Sequence, residues 1–237
     1  MKVGLLVVAT RDYKSFLPVL VGSAQTFLFP GADLTVHLFT DDLVPTGLDR
    51  RGRVVHHPIP PHGFPEATLY RFAFYADVAD QFTEDVLYCV DADMRFINEI
   101  DDEALPDDSG LVAVRHHHFE SWKGTFETNP HSTAYTPDRL RETYVVGGFW
   151  GGNHGEFTTA CTVLAAGVET DRRNGICGIW HDESHWNRYA AIHRAKILPD
   201  LYCFPEERDP PPAAKLLCLV KPADWQERNR LSRPTFG

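Results

Sequence analysis

The first third of the chain alternates compact apolar runs with longer amphipathic stretches, the pattern of strands joined by crossover helices in an α/β sheet. Residues 2–10 (KVGLLVVAT) and 34–42 (LTVHLFTDD) read as the first two strands. Between them, residues 13–28 set Phe16, Leu20 and Phe27 at near-helical spacing, which predicts a helix with Pro18 in its first turn, where a missing N–H is harmless. Residues 54–60 (VVHHPIP) read as a third strand stopped by Pro58, Pro60 and Pro61. Residues 65–82 then stack Phe72, Tyr75, Ala79 and Phe82 on one predicted helical face. The next strand, residues 87–96 (LYCVDADMRF), is apolar until it meets Asp91 and Asp93.

Beyond Asp93 the rhythm changes. Residues 111–119 (LVAVRHHHF) predict a strand entering a histidine-rich loop, and the polar, irregular stretch from Glu120 to Arg141 is long enough to be a candidate substrate-covering loop. Residues 144–155 (YVVGGFWGGNHG) read as a glycine-rich strand and turn. Residues 156–175 read as a helix with Gly175 just past its end. Residues 179–196 predict another helix, running through Ala195, with Asp182 or Ser184 available as its N-cap. The end, KPADWQERNRLSRPTFG, is basic and aromatic without periodicity. With 237 residues and no repeat or linker, a single domain is the simplest partition.

Two carboxylates at the end of a buried strand lie where open α/β sheets bind ligands. Asp91 and Asp93 can converge on a hard divalent cation that draws its remaining oxygens from a diphosphate. The same spacing also suits a capped turn or pairing with surface cations, so the motif alone does not decide. The chain carries 33 acidic against 23 basic residues, a net charge of −10, which argues against a nucleic-acid or anionic-membrane footprint. An anionic ligand must therefore be met locally, by Arg71, Lys221 and the arginines at 228, 230 and 233. The five cysteines include no CxxC pair and suit a reducing compartment. The N-terminus lacks a signal-peptide cleavage pattern, and no apolar run approaches the roughly 20 residues of a membrane span. In WHDESH, His181 and His185 share a helical face as in zinc proteases, but Asp182 occupies the position that chemistry reserves for glutamate. RHHHF (115–119) has no nearby cysteine to complete a zinc site and more simply lines a polar groove.

CVDADMRF, YVVGGFWGG and NGICGIWHDESHWNRY resemble, in that order, three segments of glycosyltransferase family 6, the family of histo-blood-group A and B transferases and α-1,3-galactosyltransferases. The similarity runs from VATRDY near the start to LPDLY beyond residue 197. It implies a GT-A fold, an α/β single domain with a Rossmann-like mixed sheet flanked by helices. It also implies a retaining α-1,3 transfer of N-acetylgalactosamine or galactose from a UDP-sugar to a galactose-terminated acceptor, fucosylated or not. By that resemblance Asp91 and Asp93 hold Mn²⁺ against the diphosphate, with Ala92 between them in the donor site. Glu183 is the catalytic glutamate. It works either through a glycosyl-enzyme, as in retaining glycosidases, or beside an ion pair attacked on the same face.

Val8, Ala9 and Tyr13 match the cradle of uracil and ribose, and Arg71 matches a residue near diphosphate and sugar. His181 and Asp182 match donor-sugar and acceptor contacts, and Trp180 stands beside them on the acceptor side. His116 matches an acceptor-binding histidine, although the text here is HHHF where the family has an HPGF-like motif. Val146, Gly147 and Gly148 match the tripeptide that sizes the pocket at the sugar's second carbon, and the small Gly148 favours N-acetylgalactosamine. Residues 222–237 resemble a mobile tail closing over UDP, with Lys221 and Arg228 as phosphate partners at a spacing one residue off the family's. The missing anchor and stem imply a cytoplasmic, microbial-type member. The other readings of this sequence are a UDP-sugar hydrolase and a binding module of the same fold that has lost turnover.

Overall fold

The computed structural model describes residues 1–41, 48, 53–117 and 124–229. Among them the chain runs β1 (Lys2–Val8), a 3₁₀ turn at 11–16, α1 (Leu17–Phe27), β2 (Asp33–Thr40), β3 (Arg53–Pro58), α2 (Glu66–Leu69), α3 (Arg71–Ala76), β4 (Val86–Asp91), β5 (Met94–Phe96), β6 (Leu111–Val114), β7 (Phe149–Asn153), α4 (His154–Arg173), α5 (His181–His193), β8 (Lys196–Leu198), β9 (Phe204–Pro205), β10 (Leu216–Cys218) and α6 (Trp225–Asn229). A seven-stranded mixed sheet has the order β3-β2-β1-β4-β7-β6-β8, and a small sheet has the order β5-β10-β9. The parallel half, β3 to β4, is the strand-and-crossover-helix pattern expected from the alternation; β7 then enters antiparallel between β4 and β6. Helices cover both faces in this single α/β domain.

Period-two burial builds the two cores. In β4, Val86, Tyr88 and Val90 join the cluster under α1, whereas Leu87 and Cys89 join the cluster under α3, α4 and α5. Asp91 continues the second row. That alternation fixes which helix can meet it, and α3 brings Arg71 there.

The stretch 87–96 is not one strand. β4 ends at Asp91, whose N–H takes the Gly148 carbonyl at 2.9 Å, and β5 starts at Met94 in the other sheet, where Leu219 N–H meets the Asp93 carbonyl at 2.8 Å. Asp91-Ala92-Asp93 is the step between two sheets. The helix over 65–82 is also interrupted, since α2 and α3 meet at Tyr70 and α3 stops at Ala76, before a 3₁₀ turn at 79–81. Phe82 leaves the helical path and sets its ring edge-on to His37, 4.7 Å between centroids, which outweighs the helical spacing. α1 begins at Leu17 with Pro18 in its first turn, as expected, although residues 11–16 wind as 3₁₀.

The described part of the long polar loop, 124–141, is tied down rather than free. Asp171 of α4 accepts Ser132 Oγ at 2.5 Å and Thr133 N–H at 2.7 Å, and Glu127 accepts the N–H groups of Asn129 and Ile179, each at 2.8 Å. Residues 118–123, part of the histidine-rich and loop readings, lie outside the described residues, as do 230–237 with Arg230 and Arg233. Within the described residues no helix is long and apolar enough to cross a membrane.

Candidate functional site

The carboxyl ends of β1 and β4, α2–α3 and the stretch after β10 enclose one pocket. Val8, Thr10, Tyr13, His62, Phe64, Thr68, Arg71, Asp91, Ala92, Asp93 and Lys221 line it. Thr10 Oγ1 donates to the His62 carbonyl at 2.5 Å, which holds segment 62–68 over the end of β1 as the pocket's far wall. Arg71 is the hub. Its Nη2 lies 2.7 Å from Asp91 Oδ1, its Nη1 lies 3.2 Å from the Gly147 carbonyl, and its Nε lies 3.4 Å from Asp182 Oδ2. Burial works against the guanidinium's charge, but Asp182 and Asp91 more than offset it and hold its pKa well above the usual value.

Asp93 is buried, which raises its carboxyl pKa, and Lys221 Nζ at 2.5 Å counters that shift. The same ammonium sits 5.7 Å from the centroid of the Tyr13 ring. Asp91 and Asp93 thus open onto the same pocket. As a donor set, two carboxylates on one turn suit a hard divalent cation that completes its shell with ligand oxygens. Among the described residues no group of three His, Cys, Asp or Glu side chains gathers to hold a metal unaided.

α5 delivers the third acid. Its first residues are strained: His181 has φ +52°, in the left-handed region, and its ring meets Phe64 edge-on at 5.0 Å. Neither Asp182 nor Ser184 is the N-cap, because the helix already starts at His181. Ser184 Oγ instead accepts the Trp180 N–H at 2.9 Å from inside the first turn, and Asp182 turns toward Arg71. Glu183 and Asn187, four residues apart on one face, grip the segment before β7. Asn187 makes paired bonds to the Val145 backbone, accepting its N–H at 2.8 Å and donating to its carbonyl at 2.7 Å. Glu183 Oε2 accepts the Gly147 N–H at 2.8 Å, and Oε1 accepts the Tyr144 hydroxyl at 2.8 Å. Burial pushes the Glu183 carboxyl up to about 7, although those two donors pull it back.

The structure therefore joins Val8, Tyr13, Arg71, Asp91, Ala92, Asp93 and Lys221 in one pocket and links Gly147, Asp182 and Glu183 to it through Arg71. Gly148 adjoins it directly: a Cβ there would stand 2.7 Å from Met94 Cε and 3.0 Å from Asp91 Oδ2. Val146 is buried in the core beneath these glycines, and Gly151 packs against the Tyr88 ring, so only half of GGFWGG faces the site.

Ala9 is fully buried on the core side of the alternation, while Val8 faces the pocket. Arg228 pairs with Asp12 at 3.1 Å and Asp224 at 2.9 Å, above Trp225, outside the residues that line the pocket. Trp225 itself, which carried no sequence signal, packs edge-on against Tyr13 at 5.4 Å. His116 stacks on His117 and meets Tyr144 edge-on at 5.7 Å, and Trp180 is 49% exposed at the rim. His185 of WHDESH points away from His181, toward Asp171 at 3.7 Å, so the two histidines do not converge. Thr10, His62, Phe64, Thr68 and Tyr144 escaped the sequence reading: His62, Phe64 and Thr68 sit in no chemistry-bearing motif, while Thr10 and Tyr144 stand in the VATRDY and YVVGGFWGG segments with no role attached to either.

A family profile described as Glycosyltransferase family 6 matches residues 1–230. The chain is 30% identical over 219 residues to histo-blood group ABO system transferase 2 of Rattus norvegicus, covering 86% of this chain and 64% of that protein. It is 29% identical over 239 residues to globoside alpha-1,3-N-acetylgalactosaminyltransferase 1 of Canis lupus familiaris, covering 94% and 67%. Human alpha-1,3-galactosyltransferase 2 matches at 30% over 125 residues, 52% of this chain and 37% of that protein. The chain thus spans somewhat less than two-thirds of the rat relative's length. Fold, site and a profile match over nearly the whole sequence agree: this chain belongs to glycosyltransferase family 6.

Proposed function

We propose that the protein is a retaining α-1,3-glycosyltransferase that moves N-acetylgalactosamine, or alternatively galactose, from its UDP conjugate to an acceptor ending in galactose. The observation that carries this reading is the continuous network from Asp91 through Arg71 to Asp182 and, across Gly147, to Glu183. It ties a cation-binding turn in the pocket to the Glu183 carboxylate beside it. The uracil end is assigned to Tyr13 and Val8, the diphosphate to Asp91 and Asp93, and the sugar to the space between Arg71, Gly148 and Glu183.

Electrostatics supports the metal. Asp91, Asp93 and Asp182 face Arg71 and Lys221, so a bare diphosphate would meet more carboxylates than cations at the site. Bound Mn²⁺, held by Asp91 and Asp93, would supply charge neutralisation on the departing diphosphate. The protein's own part is positioning. Arg71 orients Asp91 and Asp182 around the sugar, and Glu183 offers its carboxylate to the anomeric carbon. As the bond from the anomeric carbon to the UDP oxygen breaks, Glu183 either bonds to that carbon and is then displaced by the acceptor oxygen, or stabilises its positive charge while the acceptor oxygen bonds on the same face. In either case the departing phosphate takes the proton of the acceptor hydroxyl. The hydrogen at Gly148 keeps space open between Met94 and Asp91, which supports the acetamido sugar. His116 and Trp180 are assigned to the acceptor, and residues 222–237 to a tail that closes over UDP. Asp93→Asn tests the reading: Mn²⁺-dependent calorimetric affinity for UDP-sugar falls sharply, and an unchanged affinity overturns it.

A further inference from the structure

Tyr144 opens the segment YVVGGFWGG and has no role assigned to it so far, yet it touches both sides of the reaction proposed for this site. Its side chain is buried, 2% exposed, and its hydroxyl donates to Glu183 Oε1 at 2.8 Å. The other carboxylate oxygen takes the Gly147 N–H at the same distance, so one four-residue segment holds both oxygens of Glu183. The Tyr144 ring stands edge-on to Phe126 at 5.0 Å and to His116 at 5.7 Å, and its carbonyl accepts the His116 N–H at 2.9 Å. One residue thereby connects the backbone of the proposed acceptor histidine to the carboxylate. The charged and titratable groups around Glu183 are Asp182 on its own helix, Asp91 on β4 and, beyond Asp182, Arg71 on α3.

We infer that Tyr144 is the positioning residue of Glu183, fixing the carboxylate's orientation toward the anomeric carbon and favouring its charged form. The inference rests on the proposed function. A hydrogen bond to a carboxylate is stronger than one to its neutral acid, so Tyr144 stabilises the state that answers developing positive charge on the sugar. Burial and the neighbouring Glu183 raise the phenol's own pKa, so Tyr144 stays a donor and does not act as a base.

The test is a double-mutant cycle of Tyr144→Phe and Glu183→Gln, with donor binding measured by calorimetry using UDP-sugar and Mn²⁺. Tyr144→Phe keeps the wild-type donor affinity and loses about 10- to 100-fold in kcat, the scale of a lost hydrogen bond to a charged group. In the Glu183→Gln background the same change alters the residual rate by less than about 2-fold, because the group it acts through is already gone. A wild-type kcat in Tyr144→Phe, or an equal factor in both backgrounds, overturns the role; the latter is what a purely structural loss gives. Should the Phe variant fail to fold, the wild-type donor complex decides: Tyr144 and Glu183 stay within hydrogen-bond distance, and a separation beyond about 3.5 Å overturns the role. A wild-type protein that binds no UDP-sugar overturns the proposed function itself, whereas turnover without any Tyr144 dependence overturns this inference alone.

Discussion

Replacing Arg71 by methionine keeps most of its volume on α3 and removes the charge at the hub of the site. The guanidinium is 5% exposed and serves Asp91, Asp182 and the Gly147 carbonyl together. Without it Asp91 and Asp182 remain close with no counter-ion, and breaking a buried pair in this way costs about 3–5 kcal/mol. Asp91 is 32% exposed and burial raises the Asp182 pKa, which softens the cost of leaving it unpaired, so the lower end, about 3 kcal/mol, is expected. For a chain of this size that is a fall in Tm of about 6–12 °C. Methionine at 71 also removes the charge that lowers the Asp182 carboxyl's pKa, leaving burial to hold it further above its unfolded value. Its protonated form then suits the fold, so stability returns as pH drops, and the gap to wild type narrows from pH 7.5 to pH 5. Thermal unfolding at both pH values checks this. A variant melting within about 2 °C of wild type at pH 7.5, or a gap that does not change with pH, would refute Arg71 as the electrostatic hub.

Further outcomes follow from the same geometry. Because the Glu183 carboxyl is pushed up to about 7, kcat/KM for donor rises with pH through that value, and a limb near the ordinary 4.5 contradicts it. The matching stability effect is present at acid pH and lost as pH climbs from 4.5 to about 7, so Glu183→Gln melts above wild type at pH 8. Lys221 must release Asp93 before a cation can take it. Lys221→Met therefore tightens Mn²⁺ binding without UDP by about 10-fold while weakening UDP binding with Mn²⁺, and unchanged Mn²⁺ affinity by calorimetry counts against the competition. Gly148→Ala puts a methyl against Met94 and Asp91, and the kcat/KM ratio of N-acetylgalactosamine to galactose donors falls by about 10-fold or more. An unaltered ratio removes Gly148 from the sugar pocket.

The parallel half of the sheet was legible because its signals are local: the compact apolar runs of β1 and β4, whose side chains alternate between two faces, and amphipathic spacing in α1 and α4 each lie within one short window. The same parity carries Asp91 to the strand end on the face that α3 covers. What sequence spacing could not show depends on partners far along the chain. The break after Asp91 is set by β10, more than a hundred residues away, which pairs with β5 and pulls Met94 into a second sheet. α3 ends early because Phe82 finds His37 on β2. The polar loop looked unanchored since its anchors, Asp171 and Glu127, are buried acids whose bonds run to distant backbone. Glu183 and its motif were visible as residue types. Tyr144, the donor that holds that carboxylate, and segment 62–68, the pocket's far wall, lie in or beside segments that were legible, but their roles emerge only when β7, α5 and α2 come together.

The most direct measurement is the anomeric configuration of the product, read by proton NMR after incubating the protein with UDP-N-acetylgalactosamine, Mn²⁺ and a fucosylated galactoside. The account predicts an α-1,3-linked product that forms with wild-type protein and largely disappears in Glu183→Gln while donor still binds. A β-linked product, or transfer that survives at the wild-type rate without the Glu183 carboxylate, would contradict it.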